Sequence, residues 1–557
     1  MSLKKDSWMD SCQDNQHIDI TKIATFVFCI SFALSITIGR EVYNSNCVDR
    51  FFTDVQFLAF NCLITLILCI LTYCFIESVL LKWIQARHND TIKCKETTFK
   101  KWILLWVLIF MSWIPAFLAY YPGILTYDSH TQTRIALGLI DNSRYHPPLH
   151  TLIWKVCIAI ENRTAIPALA IYGFAQMLVL SFALSYMILI IFKNSSTKYV
   201  RIISIVYVLF NPTIAIMSIA MTKDVLFAAF LTVLVMRFFV LQINHILFFT
   251  KWENSFFLIV LCVATCLLRN NMIYAFVLAM AIMILVSKEC RKQLSLILAV
   301  SIIIFSLING PIYNGIGIKK GNSGEALSVP MQQIARVVVY HEDEILQEEK
   351  TLINHFVPYD SLEELYNPRF ADPIKKKFDS EYCSTHKKEF LKLWIRLFLK
   401  YPVEYINAFL DLNVPYWYLG SYPIDSYSHR EFIETDNYKL DFYPVERTSK
   451  APIILEYYEA ISKLTLFSKW PVVAKCLFSL ATPIWLVLLS ITLIVRLYGA
   501  RYASSLFFYA FLWLTYLAGP VSNFRYIFPL YVAYPFFAFV AVDYNEPICN
   551  DEEELDG

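Results

Sequence analysis

A single carboxylate lies within a polar turn at the end of the third apolar run, in the segment Tyr120–Gln132. Pro122 cannot continue a helix, and Gly123 permits a sharp change of direction. The pattern Ser129-x-x-Gln132 predicts a capping box that begins a second, shorter helix. We therefore expect the chain to turn at a membrane surface and to present Asp128 there. A carboxylate in that position can accept a proton from a hydroxyl group.

Several other polar side chains are predicted at the same ends of apolar helices, although they come from distant parts of the chain. They are Tyr127, His130 and Gln132; His146; Lys223 and Asp224; Arg269, Asn270 and Asn271; Gln333 and Arg336; and Arg525. Charge at the end of an apolar helix is costly unless it is paired or hydrated, so such groups indicate function. Arginine forks match phosphate geometry. A base facing these cations can deprotonate a hydroxyl group while the cations stabilise a phosphate leaving group.

Structural roles also account for the same residue types. Lysine and arginine at helix ends often extend to the membrane interface. In one interpretation, Lys223 and Asp224 form a local ion pair at the start of a helix. The acid then lies at the positive end of the helix dipole. The Arg269-Asn270-Asn271 segment suits a tight turn between helices, and His146, beside two prolines, suits another turn. The sequence leaves these alternatives open.

The composition predicts an all-α polytopic membrane protein. Apolar residues make up 57% of the 557 residues, and many occur in runs close to the ~20 residues of a spanning helix. We predict about twelve spans, near residues 22–39, 57–79, 102–120, 166–192, 200–218, 225–243, 255–268, 272–287, 293–309, 472–496, 503–519 and 525–541. The cysteines show no metal-binding spacing. The sequence has no basic tract with interleaved aromatic residues, so it does not predict a nucleic-acid partner.

Charge distribution sets the predicted topology and the domains. Lys82, Arg87, Lys93, Lys95, Lys100 and Lys101 cluster between the second and third spans, so this loop is predicted to be cytoplasmic and Asp128 to be outside. The predicted units are a tail with two accessory helices (1–101), a catalytic membrane module (102–309) with juxtamembrane helices in its first outer loop (122–165), an extracytoplasmic α-rich insert (310–470), and C-terminal helices with an acidic cytoplasmic tail (471–557).

The order of these motifs resembles the GT-C superfamily of integral-membrane glycosyltransferases, in particular multi-pass bacterial members of largely unknown specificity. The resemblance covers roughly residues 100–340 and is carried by Tyr121-Pro122-Gly123, Tyr127-Asp128-Ser129 with Gln132, His146-Pro147-Pro148 leading to Thr151, Lys223-Asp224, Arg269-Asn270-Asn271 and Pro330–Arg336. It implies that Asp128 is the catalytic acid of the first outer loop. It also implies a polyprenyl-phosphate sugar donor, a hydroxyl-bearing acceptor in the cell envelope, and transfer at the extracytoplasmic face of the cell membrane.

The sequence departs from the GT-C pattern in two ways, because two additional spans precede the module and Asp128 stands alone where several branches carry paired acids. The second departure leaves the need for a metal open. If a divalent cation such as Mg or Mn binds, the predicted ligands are Asp128 with His146 or Asp224. The alternative functions are a transporter or flippase for a lipid-linked saccharide and a saccharide-binding scaffold.

Overall fold

The protein is described by a computed structural model over residues 20–87, 99–321, 327–424 and 431–544, and these residues form helices, turns and isolated bridges but no sheet. Lys93 and Lys95 of the predicted cytoplasmic loop and the acidic residues 551–556 lie outside this range. The helices of at least eight residues are α1 Ile20–Ser45, α2 Val55–Cys74, α3 Phe99–Ala119, α4 Ser129–Ala136, α5 Pro148–Thr164, α6 Ala168–Asn194, α7 Lys198–Phe210, α8 Lys223–Ile243, α9 Trp252–Leu268, α10 Met272–Val286, α11 Arg291–Leu307, α12 Ser328–Tyr340, α13 Gln347–Phe356, α14 Lys387–Lys400, α15 Pro402–Asn413, α16 Pro452–Ser462, α17 Pro471–Phe478, α18 Thr482–Tyr498, α19 Phe507–Tyr516, α20 Phe524–Tyr531 and α21 Tyr534–Val542.

Among the described residues, six helices are long and apolar enough to cross a membrane, and the number rises to eight if each of two bent pairs counts as one span. The six contain α1, α2, α3, α6, α8 and α11, and the bent pairs are α17 with α18 and α20 with α21. The predicted total of twelve spans is not confirmed. Helices α9 and α10 have only 17 and 15 residues, shorter than the ~20 that span a bilayer.

The apolar surfaces of the long helices indicate which sides face lipid. In the long helix that contains α2, only 11% of the most apolar 18-residue stretch is buried. Leu63 and Leu66 are more than half exposed. A helix that is apolar and exposed over most of its surface is stable in a bilayer and not in water. In contrast, the most apolar 18-residue stretch of α8 is 78% buried. Its apolar side chains belong to a large cluster of buried apolar residues, which we call the main core.

Residues 310–470 divide between two cores. Helices α12 to α15 form a second core in which Ile334, Phe356 and Leu397 are buried together. The later part of the segment belongs instead to the main core, which includes Phe432 and Ile461. Residues 431–464 are therefore packed against the membrane helices.

Asp543, at the C-terminal end of α21, connects this end of the chain to the turn between α6 and α7. Its carboxylate accepts hydrogen bonds from Ser196 Oγ and Thr197 Oγ1, both at 2.6 Å, and from the Thr197 amide at 3.1 Å. Ser195 is a further donor. The carboxylate is 3% exposed, so these donors replace the water that it would otherwise bind.

Replacing Asp543 with alanine is expected to lower the free energy of unfolding by about 3 kcal/mol, because several donors lose a charged acceptor in a buried place. Thermal unfolding of the purified protein in detergent measures the change. Asp360→Ala, at an exposed position, is the control and should shift stability by less than about 0.5 kcal/mol. Equal midpoints for the two variants would show that Asp543 contributes no net stability.

Candidate functional site

The segment that carries Asp128 leaves α3 through the predicted turn. Gly123 has a φ of +148°, and a Cβ atom there would lie 2.8 Å from Leu169 Cγ. Glycine is therefore required both for the backbone conformation and for the close approach of α6. Tyr127, with a φ of +58°, also has a left-handed conformation, which is costly for an aromatic residue. Strain of this kind next to a candidate catalytic acid is typical of functional sites.

Backbone pairing brings this segment to the start of α8. The Met221 amide donates to the Ile124 carbonyl at 2.8 Å, and the Ile124 amide donates to the Ile219 carbonyl at 3.4 Å. Lys223 is the first residue of α8, and Thr222 caps the helix by accepting from the Asp224 amide. The end of α3 and the start of α8 consequently meet at the same level.

A buried chain of hydrogen bonds fixes the turn before α8. His150 Nε2 and Tyr172 Oη are 2.6 Å apart, and Tyr172 donates to Gln176 at 2.7 Å. The Gln176 amide in turn donates to the carbonyls of Ser218 and Ala220. Burial, together with the nearby charge of Lys223, lowers the pKa of His150 to about 3, so its ring is neutral at physiological pH.

Residues 434–450, which we call the strap, run along the other side of the Asp128 segment. The amides of Lys450, Thr448 and Tyr438 donate to the carbonyls of Leu118, Tyr121 and Leu125, respectively. Asn437 Oδ1 accepts from the Leu125 amide at 2.8 Å, and the Glu434 amide donates to Tyr127 Oη at 3.1 Å. These bonds hold the strained Tyr127 in place.

The carboxylate of Asp128 is surrounded by cationic side chains. Its Oδ2 atom lies 2.7 Å from Lys223 Nζ, 3.1 Å from Arg525 Nη1 and 3.8 Å from His146 Nδ1. The Asp128 side chain retains 22% exposure, so the group is accessible to a ligand. Burial alone would raise the pKa of Asp128, but Arg525 and Lys223 outweigh it and hold the pKa well below its ordinary value.

A second ion pair adjoins the first. Arg269 binds Asp224, which is fully buried, and its guanidinium lies 4.7 Å from the Tyr516 ring and 5.0 Å from the Tyr526 ring. Arg525 lies over Tyr526 from another direction, at 4.7 Å. We call the set Asp128, His146, Lys223, Asp224, Arg269 and Arg525 the charge centre. Apart from His146, it contains three cations and two carboxylates.

The predicted capping box does not form. Asp128 itself occupies the position before α4, and its side chain makes no capping bond. Ser129 Oγ and both amide atoms of Gln132 are buried without a hydrogen-bond partner. The pattern fails because Ser129 is the first residue of α4 and not the residue before it, so its side chain is not in the capping position.

The other predicted site residues have different positions. Arg336 binds Glu404 and Asp411 in the second core, and Gln333 donates to the Tyr405 carbonyl there. The charge of Arg369 also acts on Asp411, and burial raises the pKa of Asp411 to about 7. The remaining three surround the first loop: His130 packs on Phe442 and Tyr438, Asn270 donates to the Arg144 carbonyl, and Asn271 precedes α10. Tyr127 lies 4.9 Å from the Arg525 guanidinium.

Sequence reasoning missed Tyr516, Tyr526 and the strap. The two tyrosines stack on Arg269 and Arg525, yet in the sequence they are aromatic residues within apolar runs. The dipeptide Arg525-Tyr526 was the available signal for one of them. The strap contacts the Asp128 segment mainly through its backbone, and backbone contacts leave no signature of residue type.

The predicted metal ligands fit a divalent cation poorly. In the described part of the chain, no group of three or more His, Cys, Asp or Glu side chains could hold a metal ion. Asp128 is occupied by Lys223 and Arg525, and Asp224 is bound to Arg269. Mg and Mn prefer several oxygen ligands without adjacent cations.

Asp224→Asn is expected to lower the free energy of unfolding by about 3–5 kcal/mol, because it leaves the Arg269 charge buried and uncompensated. The double variant Asp224→Leu/Arg269→Met removes both charges and should recover most of this loss. Thermal unfolding in detergent compares the two. A double variant no more stable than the single one would argue against the ion pair as the cause.

The low pKa of Asp128 also predicts a pH dependence. The stabilisation is fully present above the unfolded-state pKa of about 3.9 and is lost as the pH falls through the lower folded-state pKa. The difference in unfolding temperature between the wild type and Asp128→Asn should therefore be constant from about pH 8 to pH 5. A difference that grows as the pH falls from 8 to 5 would mean that the folded pKa lies above the unfolded-state pKa, contrary to what the cations imply.

Comparison with known protein families identifies a match. Residues 143–554 match the family described as "Family of unknown function (DUF6020)". No curated protein and no solved structure matches the chain. The matched range includes His146, Lys223, Asp224, Arg269 and Arg525 and begins after Asp128. Since the match covers more than half of the residues, the chain belongs to the DUF6020 family of unknown function.

Proposed function

We propose that the protein is a membrane glycosyltransferase that moves a sugar from a polyprenyl-phosphate donor to an acceptor hydroxyl at the extracytoplasmic face. The observation that carries the proposal is the excess of cations around one accessible carboxylate at the ends of apolar helices. This arrangement offers a base for the acceptor and a binding place for an anion, both beside the bilayer.

The donor phosphate is expected to bind Lys223 and Arg525. The two side chains are only 15% and 11% exposed, so their charges are weakly screened. A polyprenyl-phosphate sugar carries one negative charge on its phosphodiester, whereas the departing polyprenyl phosphate carries up to two. The cations therefore stabilise the leaving group more than the bound donor, which is the condition for catalysis.

Asp128 is a weak base while both cations contact it, since its pKa lies well below the ordinary range. A bound phosphate competes for Lys223 and Arg525 and weakens their hold on the carboxylate. The pKa of Asp128 then rises towards the value that proton transfer requires. Donor binding thus activates the base.

The transfer step follows from these positions. Asp128 takes the proton of the acceptor hydroxyl as the hydroxyl oxygen bonds to the anomeric carbon. The bond from that carbon to the phosphate oxygen breaks, and its electron pair leaves with the polyprenyl phosphate. Lys223 and Arg525 receive the developing charge, and Asp128 returns its proton to water.

The helix ends support the assignment of the outer face. Helices α8 and α10 begin, and α9 ends, at or beside the charge centre. The opposite ends of these helices are followed or preceded by Lys251, Lys288 and Arg291. By the positive-inside rule, such basic ends favour the cytoplasmic side, and this supports the proposal that the charge centre lies on the outer side. The strap covers the Asp128 segment from the aqueous side and is suited to guide the acceptor.

Asp128→Asn is expected to reduce transfer by about 10³-fold, because the amide cannot accept the proton. The measurement uses purified protein in detergent, a panel of labelled polyprenyl-phosphate sugars and envelope saccharides as acceptors. Asp343→Asn is the matched control, since Asp343 is an exposed carboxylate between α12 and α13. This variant should retain full activity.

Near-normal transfer by a folded Asp128→Asn protein would overturn the assignment of the base. If the wild type binds the donor but consumes none with any acceptor in detergent, where no compartments exist, a flippase explains the charge centre better.

A further inference from the structure

A cavity of about 270 Å³ lies between α4, α5 and the segment that follows α11. Its walls are mainly aliphatic: Ile135 and Ala136 from α4, Leu152 from α5, and Ile316 and Ile318. Three polar residues complete the lining, namely Asn142, Thr151 and Lys155. A concave space with apolar walls and a few polar groups is the usual form of a small-molecule site.

One face of α4 leads from the charge centre to this cavity. Asp128 stands at the start of α4, Gln132 follows four residues later, and Ile135 and Ala136 come three and four residues after that. Residues at these spacings share a face of a helix. The carboxylate and the cavity wall are therefore the two ends of one stripe, with Gln132 between them.

Several buried polar atoms along this path have no hydrogen-bond partner among the described residues. They are Thr151 Oγ1 and Asn142 Oδ1 in the lining, and both amide atoms of Gln132. Gln132 and Thr151 are 0% and 2% exposed. A buried polar group without a hydrogen bond lowers the stability of the folded protein, and a ligand with hydroxyl groups can supply the missing bond.

The polar wall of the cavity is basic. Lys155 is exposed and lines the cavity. Lys319, whose carbonyl accepts from the Arg144 amide beside Asn142, is paired with Asp141 at 2.6 Å, so Lys155 is the cation of the lining. A ligand that reaches this wall is favoured if it carries negative charge.

We infer that this cavity, which we call the acceptor pocket, binds a hydroxyl-bearing anionic acceptor unit, such as a polyol phosphate or a uronic acid. The inference rests on the proposed function. The unit directs one hydroxyl along the α4 stripe towards Asp128, and its other hydroxyls bond Thr151 and Asn142. Its anionic group binds Lys155. The pocket is distinct from Lys223 and Arg525, which serve the donor phosphate.

The test measures binding without turnover, by thermal unfolding of the full-length protein in detergent with sn-glycerol 3-phosphate or glycerol. The wild type should be stabilised by the anionic polyol and much less by glycerol. Ala136→Phe, which fills the pocket, and Thr151→Val, which removes a hydroxyl at nearly constant volume, should lose the effect. Lys155→Ala should respond to the two probes alike. Arg163→Ala, at an exposed position two turns further along α5, is the control and should behave as the wild type.

A second arm with polyprenyl phosphate separates this inference from the proposed function. The lipid phosphate should stabilise the wild type and Ala136→Phe equally and should fail to stabilise Arg525→Ala. If sn-glycerol 3-phosphate has no effect, or if its effect persists in Ala136→Phe and disappears in Arg525→Ala, the acceptor pocket is refuted and the donor site stands. If polyprenyl phosphate stabilises none of the proteins, the proposed function itself is refuted.

Discussion

The contact of Asp128 with Lys223 and Arg525 is the constraint on which the rest of the structure depends. These charges are largely removed from water, and an ionised group in that position is tolerated only with partners. Each charge lies at or near the end of a different apolar helix. Satisfying all three charges therefore forces the helix ends to meet, and it fixes how far each helix is displaced along the membrane normal.

Two ionic clusters in this chain contain buried charges, and they differ in the balance of cations and carboxylates. In the second core, Arg336 binds both Glu404 and Asp411, and the charge of Arg369 also acts on Asp411, so two cations face two carboxylates. In the charge centre, three cations face two carboxylates. The first cluster is suited to hold the helices of the second core together. The second is suited to receive an anion from outside.

The sequence was sufficient to predict the helical membrane fold and to select Asp128, His146, Lys223 and Arg525, because ionisable groups at the ends of apolar runs are rare. It could not separate Arg336 from this set, since the partners of Arg336 lie about 70 residues further along the chain in an unrelated helix. It also could not fix the number of spans. Apolar composition alone does not distinguish a helix that faces lipid from one that is too short to cross it.

The way in which the strap is attached has an evolutionary consequence. It holds Leu118, Tyr121 and Leu125 chiefly by bonds between main-chain atoms. Most of its outward side chains are thus free to diverge among relatives while the acid keeps its place. Point substitutions in the strap could therefore change which molecules this surface recognises without altering the charge centre.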